Sequence, residues 1–407
     1  SVGGHRPGPP CRVSCGEEKQ ERQTRPAASR GTMVNQYFHK PENALKRAHE
    51  LAAIGNKKAA LQVLHDVLTA KKSRTWQKVL EQIMMAYVDM CVELQAHRHV
   101  KDGLHQYRNI AQQQNPNSLE VVIKYLVDAA EAKANAAAGL TGMKAGKTSA
   151  KASSSSSSSK VVADVVVVRD LENEQTPESI MLSTMTDEGD AERSDREVVV
   201  PWLKFLWETY RSVLDILKTN SKLEKVYHET SVKAFEFCRR FERKTELRRL
   251  CDTLRQHLAN LQRAAAQPAG AAQSNRYRGW EGWTQEGVEL HLTTRFAQLE
   301  VASKLELWTE GFRTVEDIYA VMKISKKPPK AKLMAKYYDR LTKIFWVSKN
   351  YLFHAYTWWR YVRLAREAEL KKSASSSTAP GTQLVSPEDK AHRASCVVLA
   401  ALAVPEP

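Results

Sequence analysis

Apolar residues recur three or four positions apart along most of the chain, the spacing that gathers side chains on one face of an α-helix. The densest case is Lys304–Glu367, where Leu305, Trp308, Phe312, Val315, Tyr319 and Met322 share a face. A break follows at Ser325-Lys-Lys-Pro-Pro, because two prolines cannot continue a helix. Met334, Tyr337, Leu341, Ile344 and Phe345 resume the pattern, and a turn at Ser348-Lys-Asn leads to Leu352, Phe353, Tyr356, Trp359 and Leu364. These rows predict helical segments packed face to face. Their large apolar residues are expected to bury against neighbouring helices, at roughly 1.5–3 kcal/mol for each full burial.

The same period runs through the rest of the chain. Leu45, Ala48, Leu51 and Ala52 form a stripe that Gly55-Asn56 stops. Leu61, Leu64 and Leu68 form the next, and Trp76 to Leu94 predicts a longer amphipathic helix. Leu104, Tyr107 and Ile110 end at Asn115-Pro116, and Leu119, Val122, Tyr125, Leu126 and Ala129 follow. A second block opens with Leu203, Leu206, Trp207, Tyr210, Leu214 and Leu217, broken at Asn220. Ser221-x-x-Glu224 is the spacing of a capping box for the next helix, which carries Tyr227, Ala234, Phe237, Cys238 and Phe241. Leu247, Leu250, Cys251, Leu254, Leu258 and Leu261 complete a hairpin with it.

A weak internal repeat links these pairs. Similar words open the second helix of each: Ala60-Leu61-x-x-Leu64, Gly103-Leu104-x-x-Tyr107, Glu246-Leu247-x-x-Leu250, Gly311-Phe312-x-x-Val315 and Leu352-Phe353-x-x-Tyr356. Their spacings are 43, 143, 65 and 41 residues. Two of these lie near the ~34–47 residues of helical-hairpin repeats, so the expected architecture is an α-solenoid in which each hairpin buries its face on the next.

Composition shifts divide the chain. Residues 1–32 are Pro/Gly/Arg-rich with no apolar core, and form the expected disordered leader, with Met33 the expected native start. Helical repeats are expected over 33–132, a low-complexity and acidic linker over 133–197, hairpins over 198–263 and a loop over 264–283. Further repeats are expected over 284–371, a Ser-rich linker over 372–385 and a last helix over 386–407, whose apolar run Cys396–Leu402 implies a missing packing partner. Within the long linker, Val165–Val168 reads as an isolated strand and Thr176-Pro-Glu as a helix start.

Of 407 residues, 42% are hydrophobic and 27% charged, ordinary for a globular protein able to bury a sizeable core. No apolar run approaches the ~20 residues that span a bilayer. The six cysteines are scattered, which favours reduced thiols in an intracellular, cytoplasmic protein over a disulfide framework. The net charge of +16 favours an acidic partner, nucleic acid being the commonest, against a merely basic surface.

Catalytic patterns fail on spacing. Gly142 and Gly146 have three residues between them where a phosphate loop needs four, and an alanine-rich helix precedes them where a strand is required. His49-Glu50 and His228-Glu229 lack the second histidine of HExxH, the positions being Ala53 and Val232. Neither His97-x-His99 nor Cys11–Cys15 has a second ligand pair at zinc spacing. No catalytic residue, metal or cofactor is expected. Two basic clusters remain as candidate RNA contacts at projecting turns: Lys323, Lys326, Lys327, Lys330, Lys332 and Lys336, and Arg239, Arg240, Arg243 and Lys244 with Arg248 and Arg249 beyond. A solvated loop is the competing reading of each.

Several long words together resemble one family, the largest subunits of eukaryotic translation initiation factor 3. They are YFHKPENALKRA at Tyr37–Ala48, RSDR at Arg193–Arg196, PWLKFLWE at Pro201–Glu208, VEDI at Val315–Ile318, SKKPPK at Ser325–Lys330, LMA at Leu333–Ala335 and LFHA at Leu352–Ala355. The resemblance implies an all-α fold, a right-handed helical-hairpin (TPR-like) solenoid leading into an incomplete PCI module, with disordered linkers. It also implies a non-catalytic scaffold in translation initiation, assembling the pre-initiation complex on the small ribosomal subunit. The partners it implies are other components of the factor, especially another PCI protein, together with mRNA or rRNA, and no membrane. The family continues into a winged helix and a charged tail, so the chain reads as C-terminally truncated. An RNA-binding solenoid acting through its basic turns is the alternative.

Overall fold

The computed structural model describes residues 41–70, 75–139, 170–172, 181, 190–218, 220–266, 282–325, 329–375 and 387–405. The expected leader, the 142–148 glycine-lysine stretch, the Val165–Val168 strand and the Thr176 helix start lie outside them, as do Lys326 and Lys327.

Each hairpin turns on one backbone device. Helices α1 (Pro41–Ala53) and α2 (Lys57–Thr69) are joined at Gly55, with φ 91°. The same left-handed position recurs at Gln95 between α3 (Lys78–Glu93) and α4 (His97–Gln114), and at Glu242 between α7 (Glu224–Arg240) and α8 (Lys244–Ala266). It recurs again at Glu306 between α9 (Gln285–Lys304) and α10 (Trp308–Ile324), and at Lys349 between α11 (Ala331–Val347) and α12 (Tyr351–Ser375). In all five, the next residue donates its N–H five residues back, as from Ala96 to the Cys91 carbonyl at 3.0 Å and from Arg243 to the Cys238 carbonyl at 2.8 Å. This closes the free carbonyls of the first helix and turns the chain directly into the second. The repeated sequence words open 3 to 8 residues after these turn positions, so they mark the second helix of each hairpin without sharing one register with the turn.

The remaining helices are joined by other means. Helix α5 (Pro116–Ala137) starts with proline at its first position and the Asn115 side chain accepting from Ser118 N at 3.3 Å. Helix α6 (Asp190–Leu217) begins well inside the expected linker and runs through Pro201. Val199 and Leu203, buried on either side of that proline, offset the hydrogen bond it removes. The helix expected to be capped by Ser221 starts at Glu224 instead, after a 3-10 turn at Ser221–Leu223 held by Asn220 Oδ1 accepting from Lys222 N at 3.1 Å. Helix α13 (Pro387–Leu402) starts earlier than its apolar run and packs on α12.

Along the chain almost every helix packs on the next and in most cases on the one after, α1 on α2 and α3, α4 on α5 and α6, α7 on α8 and α9. The result is an all-α solenoid. One core runs from α1 to α8 around Tyr87, Tyr107, Trp207 and Phe235 and takes in Val301 from the end of α9. A second joins Leu258 to Val288, Leu299, Ile318, Leu341 and Ile344 across α8 to α11.

Two expected faces are rotated. On α10 the buried row is Gly311, Thr314, Ile318 and Val321, one residue before the apolar row read from the sequence, which leaves Tyr319 57% exposed. Gly311 and Thr314 allow the closer approach: a Cβ on Gly311 would lie 3.2 Å from Ile344 Cδ1. Thr314 Oγ1 donates to the Glu310 carbonyl and accepts from Gln298 Nε2 at 2.9 Å, so its burial carries no unmade hydrogen bond. On α12 it is His354 and Thr357 that are buried, and Leu352, Phe353, Tyr356 and Trp359 stand 45–63% exposed. His354 Nδ1 donates to the Thr342 carbonyl at 2.9 Å and sets that rotation against α11.

Candidate nucleic-acid interface

The first basic cluster sits where α10 gives way to α11. Lys323 is exposed, with Nζ 4.6 Å from the centroid of the Tyr319 ring. Lys330 is exposed, with Nζ 3.7 Å from Glu289. Lys336 borders a groove of about 140 Å³ between α9 and α11, with Phe296, Tyr337, Glu300 and Arg340. Lys332 lies in the first turn of α11. Lys323, Lys330 and Lys336 thus flank one turn, each with a different neighbour.

The second cluster is largely engaged by the protein itself. Arg239 is bidentate to Glu236, its Nε at 2.8 Å from Oε2, and Arg240 donates to Asn135 at 2.9 Å. Arg243 is 3% exposed, which removes it from the surface its sequence position suggested. It follows the left-handed residue of the hairpin turn, the position whose side chain folds back over the helix end, and lies 3.9 Å from the buried Glu246. Arg249 is taken by Asp170, with Nη1 donating to Oδ1 at 2.5 Å, and by Glu172 at 3.2 Å. Arg239, Arg240, Lys244 and Arg248 are all exposed, the first two through contacts at the surface with Glu236 and Asn135.

Sequence reasoning missed the face of α12. Its exposed Phe353 stacks on Phe345 at 5.6 Å, and Trp359 lies 5.9 Å from Tyr356. The Arg363 and Arg360 guanidinium carbons lie 5.5 and 6.0 Å from the Trp359 ring centre. Residues 331–375 hold ten Lys and Arg against three Asp and Glu. Exposed aromatic rings interleaved with arginine suit both a partner's side chains and unstacked bases. The signal was present in Tyr351–Arg366, but periodicity assigned those rings to the core.

Between the two cores runs a polar seam. Tyr227 Oη lies 3.0 Å from His257 Nδ1, His228 Nδ1 lies 2.6 Å from Thr294 Oγ1, and His291 packs edge-on to His228 at 4.5 Å. Arg295, buried, donates to the Leu254 carbonyl at 2.7 Å and to Gln298 at 2.6 Å. Burial, aided by the Arg295 charge, pushes His228 down to about 3. Burial, with the Lys218 charge, takes His257 down to about 4, and His291 falls well below its ordinary value for the same first reason. These imidazoles are neutral at pH ~7 and act as uncharged packing and hydrogen-bonding groups. The adjoining cavity, lined by Glu224, Tyr227, His257 and His291 among others, is about 10 Å³, room for one water and no substrate. Among the described residues no cluster of three or more His, Cys, Asp or Glu is arranged to hold a metal ion, and no helix is long and apolar enough to cross a membrane.

The family model described as "eIF3a, PCI domain, TPR-like region" matches residues 42–407. The chain belongs to that family. Proteins named as the A component of eukaryotic translation initiation factor 3 (eIF3a) are similar to it: that of Nicotiana tabacum is 45% identical over 90% of this chain and 34% of its own length. The Arabidopsis thaliana protein is 45% identical over 90% and 33%, and the Coccidioides immitis protein 44% over 90% and 34%. The chain thus spans about a third of the length of these eIF3a relatives. Among solved structures a circular tandem repeat protein aligns over 89% of this chain and 63% of its own, at 12% identity and a TM-score of 0.23, too distant to speak for the fold.

Proposed function

We propose that this chain acts as a non-catalytic scaffold in the cytoplasm. It organises the components of translation initiation factor 3 on the small ribosomal subunit during pre-initiation complex assembly and mRNA recruitment. Membership of the eIF3a family across residues 42–407 carries this reading. The solenoid supports it by presenting the aromatic and arginine face of α12 as a docking surface, the kind of side chain that dominates interface energetics. RNA contact through Lys323, Lys330 and Lys336 is a second, weaker component of the same scaffold.

Affinity purification of the tagged chain from cell extract, with mass spectrometry and a ribosome-sedimentation profile, tests the reading. Recovery of other initiation-factor subunits and small-subunit ribosomal proteins is expected, reduced by Phe353→Ser with Trp359→Ser. Lys323→Glu with Lys330→Glu and Lys336→Glu is expected to leave that recovery intact and to lower the salt slope of RNA binding. Recovery of RNA alone would replace the scaffold by an RNA-binding solenoid.

A further inference from the structure

Between α5 and α6 three residues are seated on the solenoid: Asp170, Leu171 and Glu172. Leu171 is 3% exposed and belongs to the main core. Its backbone N–H donates to Glu246 Oε1 at 2.9 Å. The carboxylate on either side is met by arginine. Asp170 is held bidentately by Arg249, and Glu172 lies 3.2 Å from Arg249 and 3.0 Å from Arg211. Glu172 Oε1 also accepts from Trp207 Nε1 at 2.9 Å. Asp170 Oδ1 accepts from the Glu172 N–H at 3.1 Å, which curls the three residues into a turn.

The receiving surface belongs to the helices and keeps its shape by its own contacts. Glu246 Oε2 accepts from Thr245 at 2.7 Å and Glu246 faces Arg243, so the acceptor for the Leu171 N–H is held in place from its own side. Trp207 lies in the core of α6 against Phe237. Recognition combines one backbone donor, one aliphatic socket and two carboxylate clamps, all read from consecutive residues. That is how a folded domain reads a short linear segment of another chain. The tripeptide belongs to the connection between Ala137 and Asp190, so it competes with any free peptide as an intramolecular ligand.

We propose that the notch formed by Trp207, Arg211, Glu246 and Arg249 is a receptor for acidic–leucine–acidic segments of partner proteins, held closed in cis by Asp170-Leu171-Glu172. The proposal is independent of the scaffold reading and of the α12 face. It gives the chain a docking site opened by exchange: a partner segment of the same chemistry displaces the internal one.

The test uses the full chain and a fluorescein-labelled peptide of residues 167–175, VVRDLENEQ, followed by anisotropy. Leu171→Ser vacates the socket in cis, and the peptide is expected to bind that variant on the order of tenfold more tightly than the unmodified chain, which has the tethered competitor. Adding Arg249→Glu is expected to abolish the gain, and a peptide with serine for leucine should not bind. Where far-UV circular dichroism shows that Leu171→Ser fails to fold, Asp170→Asn with Glu172→Gln releases the segment and keeps its leucine. Equal peptide affinity for the vacated and unmodified chains, or insensitivity to Arg249→Glu, overturns the receptor and leaves a fixed staple. Preferential binding of a uridine oligonucleotide over the peptide by the vacated notch would also overturn it, in favour of a phosphate site.

Discussion

Acidification from about pH 7.5 to about pH 5.5 should loosen the seam between the two cores, through its buried histidines. His228, His257 and His291 are 4%, 8% and 7% exposed, and each is held below its ordinary value of 6.5, first by burial. In the folded chain they stay neutral over this interval, whereas in an opened chain they take up protons below that ordinary value. The opened state therefore binds more protons, and stability present above it is lost as the pH falls toward the folded values. One pH unit below the ordinary value, each histidine forfeits ~1.4 kcal/mol, so the three together forfeit about 4 kcal/mol. The Glu224 carboxyl, pushed up by burial beside the seam, works in the opposite sense at lower pH. Hydrogen–deuterium exchange on α7 to α9 reads this directly: after correction for the intrinsic pH dependence, opening should become roughly a thousandfold more frequent. His257→Gln should recover about a third of the loss. Protection within about tenfold at the two pH values, or an unchanged loss in His257→Gln, would refute the reasoning.

Three further outcomes follow from particular contacts, each read from denaturant unfolding curves. Gly103→Ala places a Cβ 2.4 Å from Tyr87 Cε1, and Tyr87 is itself pinned through its hydroxyl to the His99 carbonyl at 2.7 Å. The overpacking should destabilise by ~1–3 kcal/mol despite alanine's better helix propensity. Arg295→Ala leaves the buried Leu254 carbonyl and Gln298 without their donor, while Asp317 keeps Arg255 at 3.3 Å, and should cost about 1–3 kcal/mol. Glu306→Gly relieves a left-handed residue at φ 59° and should raise stability by ~0.5–1 kcal/mol, a gain that a simple loss of side-chain contact would not produce.

The hairpins were legible because their causes are local. Asn115-Pro116, Gly55-Asn56 and the apolar rows of α2, α3 and α8 each announce a helix or its end within a few residues. The shared turn left little trace in the sequence, since four of its five left-handed positions are Gln95, Glu242, Glu306 and Lys349 rather than glycine. The candidate RNA cations were read as a group by proximity in sequence. Whether a basic side chain is free depends on what reaches it from elsewhere, as Asp170 reaches Arg249 across 79 positions.

Residue order along each helix determined the all-α repeat architecture, since a 3.6-residue apolar period gathers one face that only a helix can bury against its neighbours. Tertiary packing decided how each helix is turned about its own axis. A row one residue to either side differs by ~100° of rotation, and both rows on α10 and α12 carry groups able to face a neighbour. Gly311 with Thr314 and His354 with Thr357 prevailed there because close backbone approach and completed hydrogen bonds outweighed larger rings. The same choice put Phe353, Tyr356 and Trp359 on the surface, and so created the face proposed to meet a partner.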